Sequence, residues 1–143
     1  MITRKADAHW AGELKTGKGT ITLGSGAFKG PFSFGTRFEG AQGTNPEELI
    51  GAAHAGCFSM DLNNRLAMAG HLPTSIATTA EVTADKVDGK FTIVGIALTC
   101  VGTVPGIDAA TFQKFAEETK SGCIISRALS AVPMTLNATL KAS

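Results

Sequence analysis

One stretch limits the fold more than any other. Asn45 to Gly70, NPEELIGAAHAGCFSMDLNNRLAMAG, reads as a single long helix with a cysteine near its middle. Asn45 can cap it through its side-chain oxygen, and Pro46 suits the first helical position, where no N–H is needed. Glu47 and Glu48 lie where the helix dipole favours negative charge, and Gly70 is a natural stop. Between Leu49 and Met60 only His54 and Ser59 carry polar side chains. A helix apolar on nearly all sides must be covered all round by protein, and this apolar part is too short to cross a bilayer. At about 1.5 Å per residue the whole element would run roughly 36 Å, close to the width of a folded chain of this size. A chain of 143 residues is too small to wrap it alone. A partner subunit is therefore expected, with Cys57 in a dry, shared interior.

The rest of the composition is that of one globular domain, residues 1–143, able to bury a real core. Apolar residues make up 43% and charged residues 17%, and the net charge of +1 gives no reason to expect nucleic acid. The N-terminus, MITRKADAHW, lacks the apolar core of a secretory signal, and no later segment is long enough to span a membrane. Cys57, Cys100 and Cys123 are odd in number and widely spaced, unlike a secreted disulfide framework. A reducing cytoplasm is expected, where a pair of cysteines more often works than staples.

In chain order, Ala8 to Leu14 alternates as a half-buried strand, Thr16 to Gly19 turns, and Thr20 to Leu23 returns as its hairpin partner. Pro31 to Phe38, with Phe32, Phe34 and Phe38 at even spacing, predicts a short strand that delivers Arg37 toward the long helix. After that helix, Ser75 to Lys86 alternates cleanly, Asp88-Gly89 is a hairpin turn, and a return strand runs from Lys90 to about Val104. Its apolar phase shifts at Gly95, which predicts a bulge. Asp108 caps a helix to Lys120, with Ile107 and Phe112 placed as a hydrophobic staple. Cys123 opens a short helix to about Ser130, and Pro133 leads into a last strand alternating from Met134 to Leu140. Adjacent hairpins without a strand–helix–strand rhythm predict an α+β fold, with antiparallel sheets packed on the long central helix.

Cys57 and Cys123 lead the candidates for chemistry, each beside small residues (Ala55-Gly56 and Ser121-Gly122) that leave room to approach the sulfur. The competing reading is that both are small buried hydrophobes, and for Cys100, mid-strand in an apolar run, that reading is preferred. A reactive thiol needs a cation, a helix N-terminus or a hydrogen bond to ionise. Cys123 begins a helix, whereas Cys57 sits mid-helix and would need an arginine such as Arg37. By position alone Cys123 is the better nucleophile. Glu47 lies ten residues before Cys57, roughly 15 Å along the same helix, so it could serve only the cysteine of a second subunit. Otherwise Glu47 and Glu48 are ordinary helix-start residues. His54 and Cys57, at i and i+3, share a helix face that would permit a metal or a thiol–base pair. No second ligand pair exists, so zinc is not expected, and a buried, hydrogen-bonded histidine fits better. His9 and His71 read as surface residues, and no phosphate-binding loop is present.

Four blocks carry a resemblance: Thr36-Arg37-Phe38-Glu39-Gly40, GTNPEELIGAAHAGCFSM (Gly43 to Met60), VPGIDAATF (Val104 to Phe112) and SGCIISRAL (Ser121 to Leu129). In this order, over nearly the whole chain, they closely resemble the OsmC/Ohr family. The resemblance implies a thiol peroxidase that reduces organic hydroperoxides, built as an intertwined homodimer without a cofactor or metal. It implies that Cys57 attacks the peroxide and Cys123 resolves the product, reversing the preference drawn from position. It also assigns the family's arginine and glutamate to Arg37 and Glu47, with Glu47 orienting the guanidinium through paired hydrogen bonds, and it implies an external dithiol reductant, of lipoyl type or otherwise. Ile124 stands where many members carry proline, which should alter the start of that helix slightly without removing function. Two other classes remain open on the same fold: a non-catalytic protein binding a hydrophobic ligand, and a redox sensor. A guanidinium beside a thiol favours the enzyme.

Overall fold

The structure, a computed structural model, describes residues 1–142. Its chain divides into two compact units, Met1–Leu49 and Ile50–Ser143.

In the first unit β1 (Ala6–Ala11), β2 (Lys18–Leu23) and β3 (Lys29–Phe32) form an antiparallel meander in the order β1-β2-β3. The opening strand ends three residues earlier than the alternation predicts. Gly12 turns the chain at φ +96°, and the Trp10 ring N–H donates to the Gly12 carbonyl at 2.9 Å. The expected strand from Pro31 to Phe38 is a larger departure. The chain pairs only to Phe32 and then coils into the short helix α1 (Phe34–Phe38). Ser33 and Thr36 form a reciprocal capping box: the Thr36 N–H donates to Ser33 Oγ and the Ser33 N–H donates to Thr36 Oγ1. That local exchange satisfies the backbone groups a strand would have paired with a neighbour. Even spacing of aromatics was the weaker signal.

Helix α2 (Pro46–Met68) forms where it was expected. Asn45 caps it, its Oδ1 accepting from the Glu48 N–H at 2.7 Å. In the second unit α2 presents Gly51, His54, Phe58, Leu62 and Leu66 to the interior at helical spacing.

The second unit's sheet has the order β4-β5-β6. Strands β4 (Ser75–Val87) and β5 (Lys90–Thr103) form the predicted hairpin, turning at Asp88 (φ +51°) and Gly89 (φ +76°). Positive φ at both turn positions is what a two-residue turn matched to strand twist requires. The register shifts between Thr83 and Ala84, opposite Gly95 and Ile93, so the predicted bulge is present. Helices α3 (Ala109–Gly122) and α4 (Ile124–Ala128) follow, α3 capped by Asp108, whose Oδ1 accepts from the Thr111 N–H at 2.7 Å. Strand β6 (Met134–Leu140) then pairs with β5 in parallel, so this sheet is mixed and not purely antiparallel. Two helices intervene between β5 and β6, and such a crossover returns the chain in the direction of the strand it left. The core joins Phe58, Leu62 and Leu66 of α2 to Ile96, Leu98 and Cys100 of β5 and to Phe112 and Ala116 of α3, with Ile107 packed against it.

Candidate active site

The site residues fall into two constellations, one in each unit. In the first unit the short helix α1 fixes Arg37. Thr36 Oγ1 donates to the Thr44 carbonyl at 2.8 Å, and Asn45 Nδ2 donates to the Thr36 carbonyl at 3.1 Å, so α1 is tied to the residues that open α2. This brings Arg37 against Glu47. Arg37 Nε donates to both carboxylate oxygens, at 3.1 and 3.2 Å, and Nη2 donates to Oε1 at 2.6 Å. Burial works to raise the Glu47 carboxyl, but the hydrogen bonds from Arg37 and its charge prevail and hold it below the usual carboxylate range. The Arg37 guanidinium also lies 5.4 Å from the centroid of the Phe38 ring. Trp10, Phe32, Phe34 and Phe38 line a cavity of about 240 Å³ together with Arg37 and Pro46. A planar cation thus faces an aromatic recess, with one edge held by a carboxylate.

In the second unit the structure brings Cys57 and Cys123 together. Both are free thiols, Cys57 half-buried and Cys123 buried. The Cys57 sulfur is within hydrogen-bonding reach of the Cys123 side chain and of the backbone N–H groups of Ile125 and Ile124. Burial pushes the Cys57 thiol above its ordinary pKa. The Ile125 N–H pulls it down, the neighbouring Cys123 pushes it up, and the Ile124 N–H lowers it again. Cys57, in the middle of α2, gains nothing from the dipole of its own helix. The first N–H groups of α4 are aimed at it from another. Ile124 therefore supplies a donor that a proline at that position would lack.

Cys123 itself is the N-cap of α4. Its Sγ accepts from the Ser126 N–H at 3.3 Å, and its thiol donates to Ser126 Oγ at 3.1 Å. Ser126 Oγ lies 2.7 Å from His54 Nε2. His54 therefore makes no thiol–base pair with Cys57, although the two share a helix face; its ring points to Ser126 across the core. It is the buried, hydrogen-bonded histidine of the second reading. Burial lowers its pKa, which keeps it neutral, and its Nδ1 is buried without a partner. Ser126 was not singled out from the sequence. The cysteine–serine spacing of three, at a helix start, is the side-chain-to-N3 spacing of a cap and could have flagged it. Cys100 lies fully buried in the core, as expected of a small hydrophobe. Among the described residues no group of three or more His, Cys, Asp or Glu side chains could hold a metal ion. Among the same residues no helix is long and apolar enough to cross a membrane.

The resemblance pairs Cys57 with Cys123, and the structure brings these two side chains together. Residues 39–137 match the OsmC-like protein family. The chain belongs to that family. It is 54% identical over 141 residues, 98% of each chain, to "Peroxiredoxin OsmC" of Escherichia coli (strain K12), and equally to the protein of that name in Shigella flexneri. The expected class of activity, a thiol-dependent peroxidase, agrees with the name those OsmC relatives carry. The fold is likewise that of solved structures. One is an organic hydroperoxide resistance protein from Elizabethkingia anophelis, at TM-score 0.80 and 22% identity, covering 99% of this chain and 98% of that one. Another is an organic hydroperoxide resistance protein OsmC from Legionella pneumophila, at TM-score 0.79 and 21% identity, covering 97% and 98%.

Proposed function

We propose that this OsmC-family chain is a dithiol peroxidase that reduces organic hydroperoxides to alcohols in a reducing cytoplasm. The observation that carries the reading is the contact of the Cys57 thiol with Cys123 and with the α4 N–H groups. The Cys57 thiolate attacks the outer peroxide oxygen. The O–O bond breaks, the alkoxide takes a proton to leave as alcohol, and Cys57 becomes a sulfenic acid. Cys123 then attacks the Cys57 sulfur, and one water leaves as the disulfide forms. An external dithiol, such as a lipoyl-type carrier, reduces the disulfide and is itself oxidised.

Burial raises the Cys57 thiol and the two N–H groups oppose it, so a nearby cation is the further stabilisation that a reactive thiolate calls for. Arg37 is the proposed cation, supplied across a homodimer so that the Arg37–Glu47 pair of one subunit completes the Cys57 site of its partner. It would also stabilise the charge developing on the leaving oxygen. Within the second unit, Ala52, Ala53, Gly56 and Met60 of α2 are exposed in the single chain, an apolar strip that a second copy would cover. The aromatic recess beside Arg37 favours substrates with an apolar tail.

The decisive experiment is intact mass before and after one equivalent of cumene hydroperoxide, with the bridge located by peptide mapping. The expected result is a loss of two hydrogens in a Cys57–Cys123 disulfide. Uptake of oxygen elsewhere, or no change of mass, would overturn the reading. Unchanged hydrophobe binding with no turnover would instead favour a binding protein.

A further inference from the structure

Resolution of the sulfenic acid requires Cys123 to lose a proton, and Cys123 is a buried thiol. No carboxylate or lysine touches it among the hydrogen bonds described. Its S–H donates instead to Ser126 Oγ at 3.1 Å, and that oxygen lies 2.7 Å from His54 Nε2. All three groups are buried, and they come from two elements separated by 72 positions in the chain. In the direction Cys123 to Ser126 to His54, every link has a donor and an acceptor when His54 carries its proton on Nδ1. Leaving that buried nitrogen without a partner costs stability, so its place in this core calls for a role.

Resting on the dithiol reading above, we propose that His54 is the positioning residue for the resolving step, accepting the proton of Cys123 through Ser126. As the Cys123 sulfur attacks the Cys57 sulfenic sulfur, the Cys123 proton passes to Ser126 Oγ and the Ser126 proton to His54 Nε2. The S–S bond forms and the S–O bond breaks. The departing hydroxide takes a proton from solvent to become water, and the imidazolium gives its proton back through Ser126 Oγ to solvent, so the two transfers cancel. A cleft of about 330 Å³ between Lys120, Ser130 and Pro133 reaches Ser126 and connects that path to solvent. No net proton is gained or lost: sulfenic acid and thiol give disulfide and water.

Of the charged groups on the elements packed here, Arg127 of α4 and Lys114 and Glu118 of α3 are exposed. Cys57 adjoins Cys123. Asp61 and Arg65 of α2 form an ion pair at 2.8 Å, the guanidinium lying where a side chain at Gly122 would stand. Lys120 and Glu117 of α3 pair at 3.3 Å. None of these changes in the variants below.

The test is a rapid-quench experiment on the full-length protein, oxidised with one equivalent of cumene hydroperoxide, trapped with a thiol alkylator and read by mass. The sulfenic and disulfide species separate in the same trace. His54→Gln and Ser126→Ala are expected to slow disulfide formation about 100-fold at pH 6.5. Without an internal acceptor the thiolate must arise by ionisation of Cys123 alone. The deficit should therefore shrink as pH rises and close at alkaline pH, and the double variant should be no slower than either single one. A structural role would instead slow resolution by one factor at every pH. That outcome, or wild-type resolution rates in the variants, would overturn the proposal. Should His54→Gln not fold, Ser126→Ala decides alone, since it removes a single oxygen. If wild-type Cys57 takes up no oxygen at all, the dithiol reading falls first; if it does and the variants resolve normally, only this inference falls.

Discussion

The Arg37–Glu47 pair and the Cys57 cluster hold polar groups in contrasting ways. Arg37 leaves 42% of its side chain exposed and is held by a carboxylate, a helix cap and an aromatic ring. Cys123, Ser126 and His54 are almost entirely buried and are held to one another by neutral hydrogen bonds. A half-exposed ion pair contributes little to stability, about 0–1 kcal/mol, so its geometry is better explained by what it acts upon. A neutral buried network avoids the desolvation of charge, but it cannot create charge either, and burial drives Cys57 toward its inert, protonated form. The first constellation has charge and no nucleophile. The second has a nucleophile and no charge.

The sharpest way to break this contrast is to remove the two lead residues separately. Cys57→Ser should reduce hydroperoxide turnover to background, since the hydroxyl that replaces the thiol cannot be oxidised to a sulfenic acid. Arg37→Met should keep the fold and the disulfide-forming pair but lower kcat/KM about 10²–10³-fold at pH 7. Its rate should climb to higher pH than that of the wild type. The reactive species is the thiolate, burial holds the thiol form to higher pH, and the variant lacks the cation proposed to oppose that burial. An Arg37→Met rate profile with unshifted pH dependence would detach the first constellation from the thiol.

The same contrast decided what could be read from the sequence. The long helix, the β4–β5 hairpin with its bulge and the α3 cap follow from local signals, and all of them are present. The Pro31–Phe38 segment misled because aromatic alternation and a capping box competed, and the box prevailed. The direction of β6 was illegible because it depends on where a two-helix crossover returns, which no periodicity records. Arg37, in the last turn of α1, and Glu47, in the first turn of α2, could be paired only by resemblance. The bond between His54 and Ser126 spans 72 positions and left no local trace beyond a buried histidine. Cys57 was misjudged for the same reason: its dipole belongs to a helix 67 residues further on, at Ile124.

A smaller effect tests that last point. Ile124→Pro places proline at the first position of α4, where its fixed φ suits the helix, so the fold should tolerate it. What it removes is one N–H aimed at the Cys57 sulfur. A hydrogen bond of about 1 kcal/mol corresponds to roughly a fivefold fall in the rate of Cys57 oxidation at pH 7, with the thiol titrating higher. Single-turnover oxidation followed by alkylation reads both quantities. No change in either would mean that the Ile125 N–H, which acts more strongly, suffices.

The smallest expected effect is on stability, at Glu47. Glu47→Gln removes the charge of the pair and keeps a side chain of the same shape. Near neutral pH it should change the unfolding free energy by less than about 1 kcal/mol, because Arg37 is partly solvated. The sign of its pH dependence follows from the shift. The folded carboxyl is held below its unfolded range, so the unfolded state binds its proton first as pH falls. Its contribution is therefore complete above the ordinary carboxylate range and is lost as pH drops through the lowered folded value. Chemical denaturation at pH 7 and at pH 3 should show wild type and variant converging in acid. The same variant should lose far more in kcat/KM than in stability, since the guanidinium is no longer held in one orientation. A Glu47→Gln protein that is markedly unstable yet fully active would show that the pair is a staple after all, and that the charge for Cys57 comes from somewhere else.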